Sequence, residues 1–170
     1  MSINKKRLGT ILHYIGVTFE YIIIILIAYW LNYLLELPHF SNLFFKIFSF
    51  FLIAFGGFLI VWSTWLQFKI GKGTSSFSEP TKKLVTCGPY GIVRNPMMEG
   101  QYLFFAGIGF ILNLLAMYLI LPILILSMHI FIVFVEEPNL KKRFGQEWIE
   151  YTKNVPRWLP KFRYVKKRKK

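Results

Sequence analysis

GPYGIVRNPMMEG, residues 88–100, separates two strongly apolar regions and holds three glycines, two prolines, an arginine, an asparagine and a glutamate. It reads as a stiff polar elbow at the mouth of an apolar helix. Pro96 has no amide hydrogen and fixes φ, which suits the first turn of a helix. Asn95 before it is pushed towards extended backbone. The chain therefore turns sharply over Arg94, Asn95 and Pro96, and a helix begins at Pro96 or Met97. The free amides of that helix start favour a negative group. Gly100, one turn on, leaves room for a ligand or for a neighbouring helix. An ordinary loop-to-helix junction, with Arg94 on lipid phosphates, accounts for the same residues.

Outward from the elbow, apolar runs predict about four transmembrane helices. Ile11 to Leu35 forms the first span, with His13, Glu20 and Asn32 as its polar exceptions. The preceding NKKR could suggest a signal peptide, but the apolar run is too long and no small-residue cleavage site follows, so it reads as a retained span. Leu43 to Phe68 is the second span, and Gly56 and Gly57 within it would admit a close neighbour. The third span runs from the elbow to Leu112, with a reversal at Asn113. The fourth runs from Tyr118 to Val135, with Pro122 near its start. Beyond it, Leu140, Phe144, Trp148 and Tyr151 recur at helical spacing among charged residues, as in a short amphipathic helix. The class is therefore all-α and polytopic: residues 1–70 hold two spans, 71–162 hold the motifs, and 163–170 form a basic tail.

Composition agrees. The 170 residues are 55% hydrophobic and only 17% charged, with a mean hydropathy of +0.46. A soluble domain of this size could not bury so much apolar surface. The net charge is +13, from 21 basic and 8 acidic residues. The basic residues gather at the two ends and in the 69–96 loop. This distribution fits the positive-inside rule and anionic lipid headgroups rather than nucleic acid. It places both termini and the central loop in the cytosol of a multi-pass protein of the cell membrane. A single cysteine, Cys87, excludes an internal disulfide and reads as a small filler. His13, His39 and His129 lack metal-ligand spacing, so no metal site is expected. GKGTS, 71–75, lacks the glycine spacing of a phosphate loop and reads as a flexible connector.

Glu136 and Glu137 fall where the fourth span should end. Carboxylates there oppose the helix dipole by roughly 0.3–1 kcal/mol each. Pro138 offers a structural reason, because it can start a new helix that the glutamates cap. The functional reading is a pair of acceptors facing a polar ligand at the level of the elbow. Glu20 is costly in lipid, and reads equally as a functional residue or as a partner of His13, Gln67 or a backbone group. The five tryptophans read mostly as interface anchors.

GPYGIVRNPMMEG followed by EEPNLKKRFGQEWIEYTKNVPRWLP resembles the isoprenylcysteine carboxyl methyltransferase family and the related phospholipid methyltransferases. The likeness covers roughly residues 84–160. It consists of a Gly-Pro-Tyr turn, an Arg-Asn-Pro with a following glycine, a helical hairpin, a Glu-Glu pair, a Phe-Gly and a Pro-Arg-aromatic-x-Pro ending. Asn95 replaces a histidine of the commoner pattern and Met98 replaces a tyrosine. The resemblance implies a membrane methyltransferase that uses S-adenosylmethionine, bound at the cytosolic ends of the last helices. It implies that Tyr90, Arg94, Asn95, Pro96 and Gly100 line one side of the cofactor pocket. Glu136, Glu137 and Leu140 would line the other, and Phe144, Tyr151 and Arg157 would close it. Arg94, Glu136 and Arg157 are the residues it puts closest to the chemistry.

Those residue types suit the cofactor. Carboxylates can accept from a ribose diol or an ammonium, Arg94 can hold a carboxylate, and aromatics can cover adenine or face a sulfonium. Methyl transfer needs alignment and dryness more than an acid–base pair. The resemblance implies a small lipophilic acceptor bearing a carboxylate or thiol, with a lipid amine as the enzymatic alternative. A non-catalytic membrane module that recruits anionic lipid or a protein partner is the alternative from another class. The sequence carries nothing that sets an oligomeric state.

Overall fold

The computed structural model describes residues 3–39, 42–76 and 78–160, with side chains from Leu8 onward. The basic tail lies outside the described residues. Among those described, regular structure is helical, apart from one isolated bridge between Thr74 and Pro80. Helix α1 is Ile3–Leu34, α2 Leu43–Lys69, α3 Pro96–Ile111, α4 Ala116–Phe131, α5 Glu137–Phe144 and α6 Gln146–Asn154. A π-turn, Ile132–Glu136, joins α4 to α5 without a break.

The polarity pattern is that of a protein in lipid. Phe50 is 71% exposed and Phe134 74%, whereas Ser49 and Ser63 are wholly buried. Three helical stretches are long and apolar enough to cross a membrane: Leu8–Leu34, Leu43–Lys69 and Ala116–Phe144. The chain is thus a multi-pass membrane protein, and the count of four spans is approximate. Helix α3 has 16 residues, about 24 Å of helix against a hydrocarbon core of about 30 Å.

Helix α3 packs chiefly on α2 through a seam of small residues. Ser49, Gly56 and Ser63 on α2 are seven residues apart, as are Gly100 and Gly107 on α3. A Cβ on Gly56 would come 2.5 Å from the Gly100 carbonyl oxygen, and one on Gly107 would come 2.9 Å from that of Ser49. Lacking Cβ atoms at these positions, the two backbones approach closely, which is how helices gain contact in lipid. Gly57 has open space around it. Only one glycine of the pair therefore serves the crossing.

Helix α1 leans on α4 through Ile24, Ala28, Met117 and Leu121, with Phe105 of α3 in the same cluster. The polar exception Asn32 is buried, and its Oδ1 accepts from the Ala116 amide at 3.4 Å. That bond satisfies a free donor at the start of α4.

The fourth span does not end at the glutamates. Pro138 cannot donate to the Phe134 carbonyl and its ring would crowd that group. The helix instead widens just before it, and the Glu137 amide bonds to the Ile132 carbonyl, five residues back. Helix α4, the π-turn and α5 run on for 29 residues, about 43 Å against the ~30 Å apolar core. The excess of about 13 Å lets the charged α5 end lie outside the hydrocarbon. The expected single amphipathic helix is two, broken at Gly145, whose φ of +54° favours glycine. The 71–75 segment is hydrogen-bonded rather than a free connector. Thr74 and Ser76 are buried, and the Thr74 amide donates to the Glu79 carbonyl at 2.7 Å. Cys87 is exposed rather than a filler.

Candidate functional site

The elbow folds as a 3-10 turn over Gly88–Gly91, with Gly88 at φ +60° and Pro89 and Tyr90 buried. Helix α3 then starts at Pro96. Two groups hold this elbow. From the α2 side, Gln67 Nε2 donates to the Tyr90 hydroxyl at 2.8 Å. From α6, the Tyr151 hydroxyl donates to the Tyr90 carbonyl at 2.6 Å. Trp148, Tyr151 and Val155 form a small core with Leu84, Leu140 and Phe144 packed on it. Trp148 is therefore a core residue and not an interface anchor.

The segment after α6 lies along the elbow as a strap. The Arg94 amide donates to the Pro156 carbonyl at 2.9 Å, and Asn95 Nδ2 to the Arg157 carbonyl at 3.1 Å. Glu137 clasps the strap electrostatically. Its Oε1 accepts from Arg94 Nη1 and from Arg157 Nε, both at 2.8 Å, and its Oε2 accepts from Arg157 Nη2 at 2.9 Å. Burial pulls the Arg94 guanidinium below its usual range while the Glu137 carboxylate opposes that shift. The hydrogen bonds to Glu137 raise Arg157 above its own. Trp158 adds a bond from Nε1 to His129 Nδ1 at 3.0 Å. His129 is thus a hydrogen-bonded structural residue.

Between the elbow, α5, α6 and the spans lies a cavity of about 840 Å³. Tyr90, Arg94, Asn95, Glu136, Leu140, Phe144 and Tyr151 all line it. Pro96, Gly100, Glu137 and Arg157 do not. Gly100 serves the α2 crossing, and Pro96 is fully buried at the start of α3. Glu136 lines the wall with no hydrogen bond among the described residues, while its neighbour Glu137 is occupied by arginines. The two carboxylates expected as a pair are therefore split between the cavity and the clasp. Burial raises the Tyr90 and Tyr151 hydroxyls above the ordinary tyrosine range, so both stay neutral.

The cavity has two chemistries. One end is walled by Ile24, Phe105 and Leu124 within the α1–α3–α4 cluster. The other holds the motif residues. Thr74, Ser76 and Thr81 of the central loop also line it. That loop is tied to α1 by Thr10 Oγ1 to Glu79 Oε2 at 2.9 Å, and to α5 by Arg143 on the Thr81 carbonyl. Four buried polar atoms of the wall have no partner among the described residues: Tyr14 Oη, Gln67 Oε1, Arg94 Nε and Tyr102 Oη. An unpaired buried donor or acceptor costs about 1–3 kcal/mol, so such atoms in a cavity wall mark places for a ligand. Glu20, an exposed residue, also lines the cavity and has no side-chain partner among the described residues. It pairs with neither His13 nor Gln67. Gln67, Tyr14 and Tyr102 carried no motif. Their signal in the sequence was weak: polar tips inside apolar runs, near the level of the elbow.

Among known proteins, the sequence model of one family, described as phospholipid methyltransferase, matches residues 44–147. Comparison with curated proteins and with solved structures found no match.

Proposed function

The chain belongs to the phospholipid methyltransferase family, and from that premise we propose that it is an S-adenosylmethionine-dependent methyltransferase acting on a small lipophilic acceptor in the membrane. The observation that carries this reading is the two-ended cavity, polar where the motif residues meet and apolar between the spans. Its volume lies within the range of about 300–1,000 Å³ of small-molecule sites.

The wall suits the cofactor. Arg94 Nε and Asn95 can donate to its carboxylate, and Glu136 can accept from its ammonium or ribose hydroxyls. Tyr90, Phe144 and Tyr151 offer aromatic surface for adenine or a sulfonium. When bound, S-adenosylmethionine supplies an electrophilic methyl group. The chain's residues bind, orient and exclude water; Glu137 and Arg157 act by holding the strap, and Pro96 and Gly100 by fixing α3. The spans of 1–70 form the acceptor side up to the last turn of α2, and the elbow with α5 and α6 forms the cofactor side.

Two acceptor chemistries fit the apolar end. An isoprenylcysteine-type carboxylate or thiol follows from the motif resemblance. A lipid amine is favoured by one observation: Glu20, unpartnered among the described residues, would attract an ammonium-bearing headgroup and repel a carboxylate. Orientation follows from charge. Lys69, Lys72, Lys82, Lys83 and Lys141–Arg143, in the central loop and α5, support an orientation with the polar end and both termini on the cytosolic side of the cell membrane, among anionic headgroups.

Calorimetric titration of S-adenosylhomocysteine into the detergent-purified protein tests the reading. Saturable binding is expected, weakened about tenfold or more by Glu136→Ala, the scale of one lost charged hydrogen bond. A folded wild-type sample that binds nothing overturns it and advances the non-catalytic module.

A further inference from the structure

We propose that Gln67, on the second membrane helix, is a ligand-binding residue whose side-chain oxygen accepts a hydrogen bond from an N–H or O–H donor of the adenosyl cofactor. The inference rests on the function proposed above and adds to it a residue from the half of the chain that carries no motif.

Ile60, Thr64 and Gln67 follow one another at helical spacing on α2, and all three line the cavity. Gln67 sits in the last turn of the helix, level with the Tyr90 turn. Its two amide atoms are used unequally. Nε2 donates to the Tyr90 hydroxyl at 2.8 Å, while Oε1 is buried and has no partner among the described residues. In this orientation the oxygen is the end left for a ligand; the opposite orientation would present Nε2, a donor, and would call for a ligand acceptor instead. Thr64 Oγ1 donates to the Ile60 carbonyl at 2.8 Å, and the Ser63 hydroxyl lies beside that of Tyr90, with no bond to Gln67 among the described residues.

The wall around Gln67 narrows what the ligand must bring. Tyr90 bonds Gln67 directly, and Met97 lines the same cavity. An acceptor at that point recognises a ligand N–H or O–H, and an adenosyl cofactor has both: an exocyclic amine, ribose hydroxyls and an ammonium. Tyr90 is fixed by Tyr151 from the other side, at 2.6 Å. Gln67 and Tyr90 therefore form one hydrogen-bonded wall spanning α2, the elbow and α6. A cofactor bound against it would tie the membrane half to the motif half.

The alternative is that Gln67 merely positions Tyr90, and a double-mutant cycle separates the two. S-adenosylhomocysteine is titrated calorimetrically into wild type, Gln67→Met, Tyr90→Phe and the double variant, all in detergent. Thermal unfolding reports whether each is folded, and Gln67→Leu replaces any Met variant that is not. Binding should fall about tenfold for Gln67→Met, and again by a similar factor when it is added to Tyr90→Phe. No further loss in the Tyr90→Phe background makes Gln67 a positioning residue and overturns the inference alone. A folded wild type that binds no S-adenosylhomocysteine overturns the methyltransferase reading and this inference with it.

Discussion

Glu137 gives both carboxylate oxygens to Arg157, accepting from Nε at 2.8 Å and from Nη2 at 2.9 Å. A planar guanidinium fork on a carboxylate fixes orientation as well as distance. Here it fixes the strap after α6 to the start of α5. Arg94 shares the same carboxylate, so elbow, helix and strap meet at one anion. The strap closes over the elbow that walls the cavity, so the Glu137–Arg157 clasp holds that wall in place without lining the cavity itself.

Arg157→Ala should release the strap and lower stability by about 1–3 kcal/mol, since Glu137 keeps Arg94 but loses its bidentate partner. Arg157→Lys should recover only part of this, because a point charge cannot reproduce the fork. Thermal unfolding and limited proteolysis beyond Asn154 would read it. A wild-type melting temperature and protease pattern in Arg157→Ala would show that the clasp holds nothing.

Gly56→Ala should destabilise the protein by about 1–3 kcal/mol through overpacking at the α2–α3 seam. The new methyl would meet Gly100 and Phe104 backbone atoms at 2.5 and 2.8 Å. Gly57→Ala, with open space around it, should leave stability unchanged or slightly raised. Melting curves of the two variants in one detergent decide this. Equal losses would mean that both glycines act through helix propensity and not through the crossing.

Much of this fold was legible because hydropathy reports lipid contact directly. The second span, read as ending at Phe68, ends at Lys69, and the third, read to Leu112, stops at Ile111. What stayed hidden depends on partners. Gly56 and Gly57 look alike in sequence, yet they point about 100° apart on a helix, and only the position of α3 distinguishes them. Glu136 and Glu137 differ for the same reason, since Arg157 comes from another element. The first helix starts at Ile3 rather than Ile11, because Lys5, Lys6 and Arg7 read as flanking charge. At the site, the elbow and the α5–α6 aromatics were visible as a motif, whereas Gln67 had no motif to announce it.

Alkaline pH should weaken the fold through Tyr90 and Tyr151. Burial raises both hydroxyls above the ordinary value of 10.0. The folded state therefore holds these protons when the unfolded chain has begun to lose them. Their contribution is fully present below pH 10 and is lost as pH rises from there towards the folded values. Melting temperatures across pH 8 to 11 should fall above pH 10, and Tyr151→Phe should flatten the fall. A slope unchanged in Tyr151→Phe would exclude this tyrosine as a cause.

Pro138→Ala should separate stability from binding. Alanine restores the missing amide hydrogen and removes the ring that crowds the Phe134 carbonyl, an effect of up to about 3 kcal/mol in a helix interior. The π-turn then loses its local cause, and the Glu137 amide can move from the Ile132 carbonyl to that of Val133, as in a regular α-helix. Such a shift would rotate Glu136 relative to the cavity and Glu137 relative to Arg94 and Arg157. The expected variant melts no lower than wild type yet binds S-adenosylhomocysteine several-fold more weakly. Unchanged binding would mean that the glutamate clasp, and not the proline, sets the register of this turn.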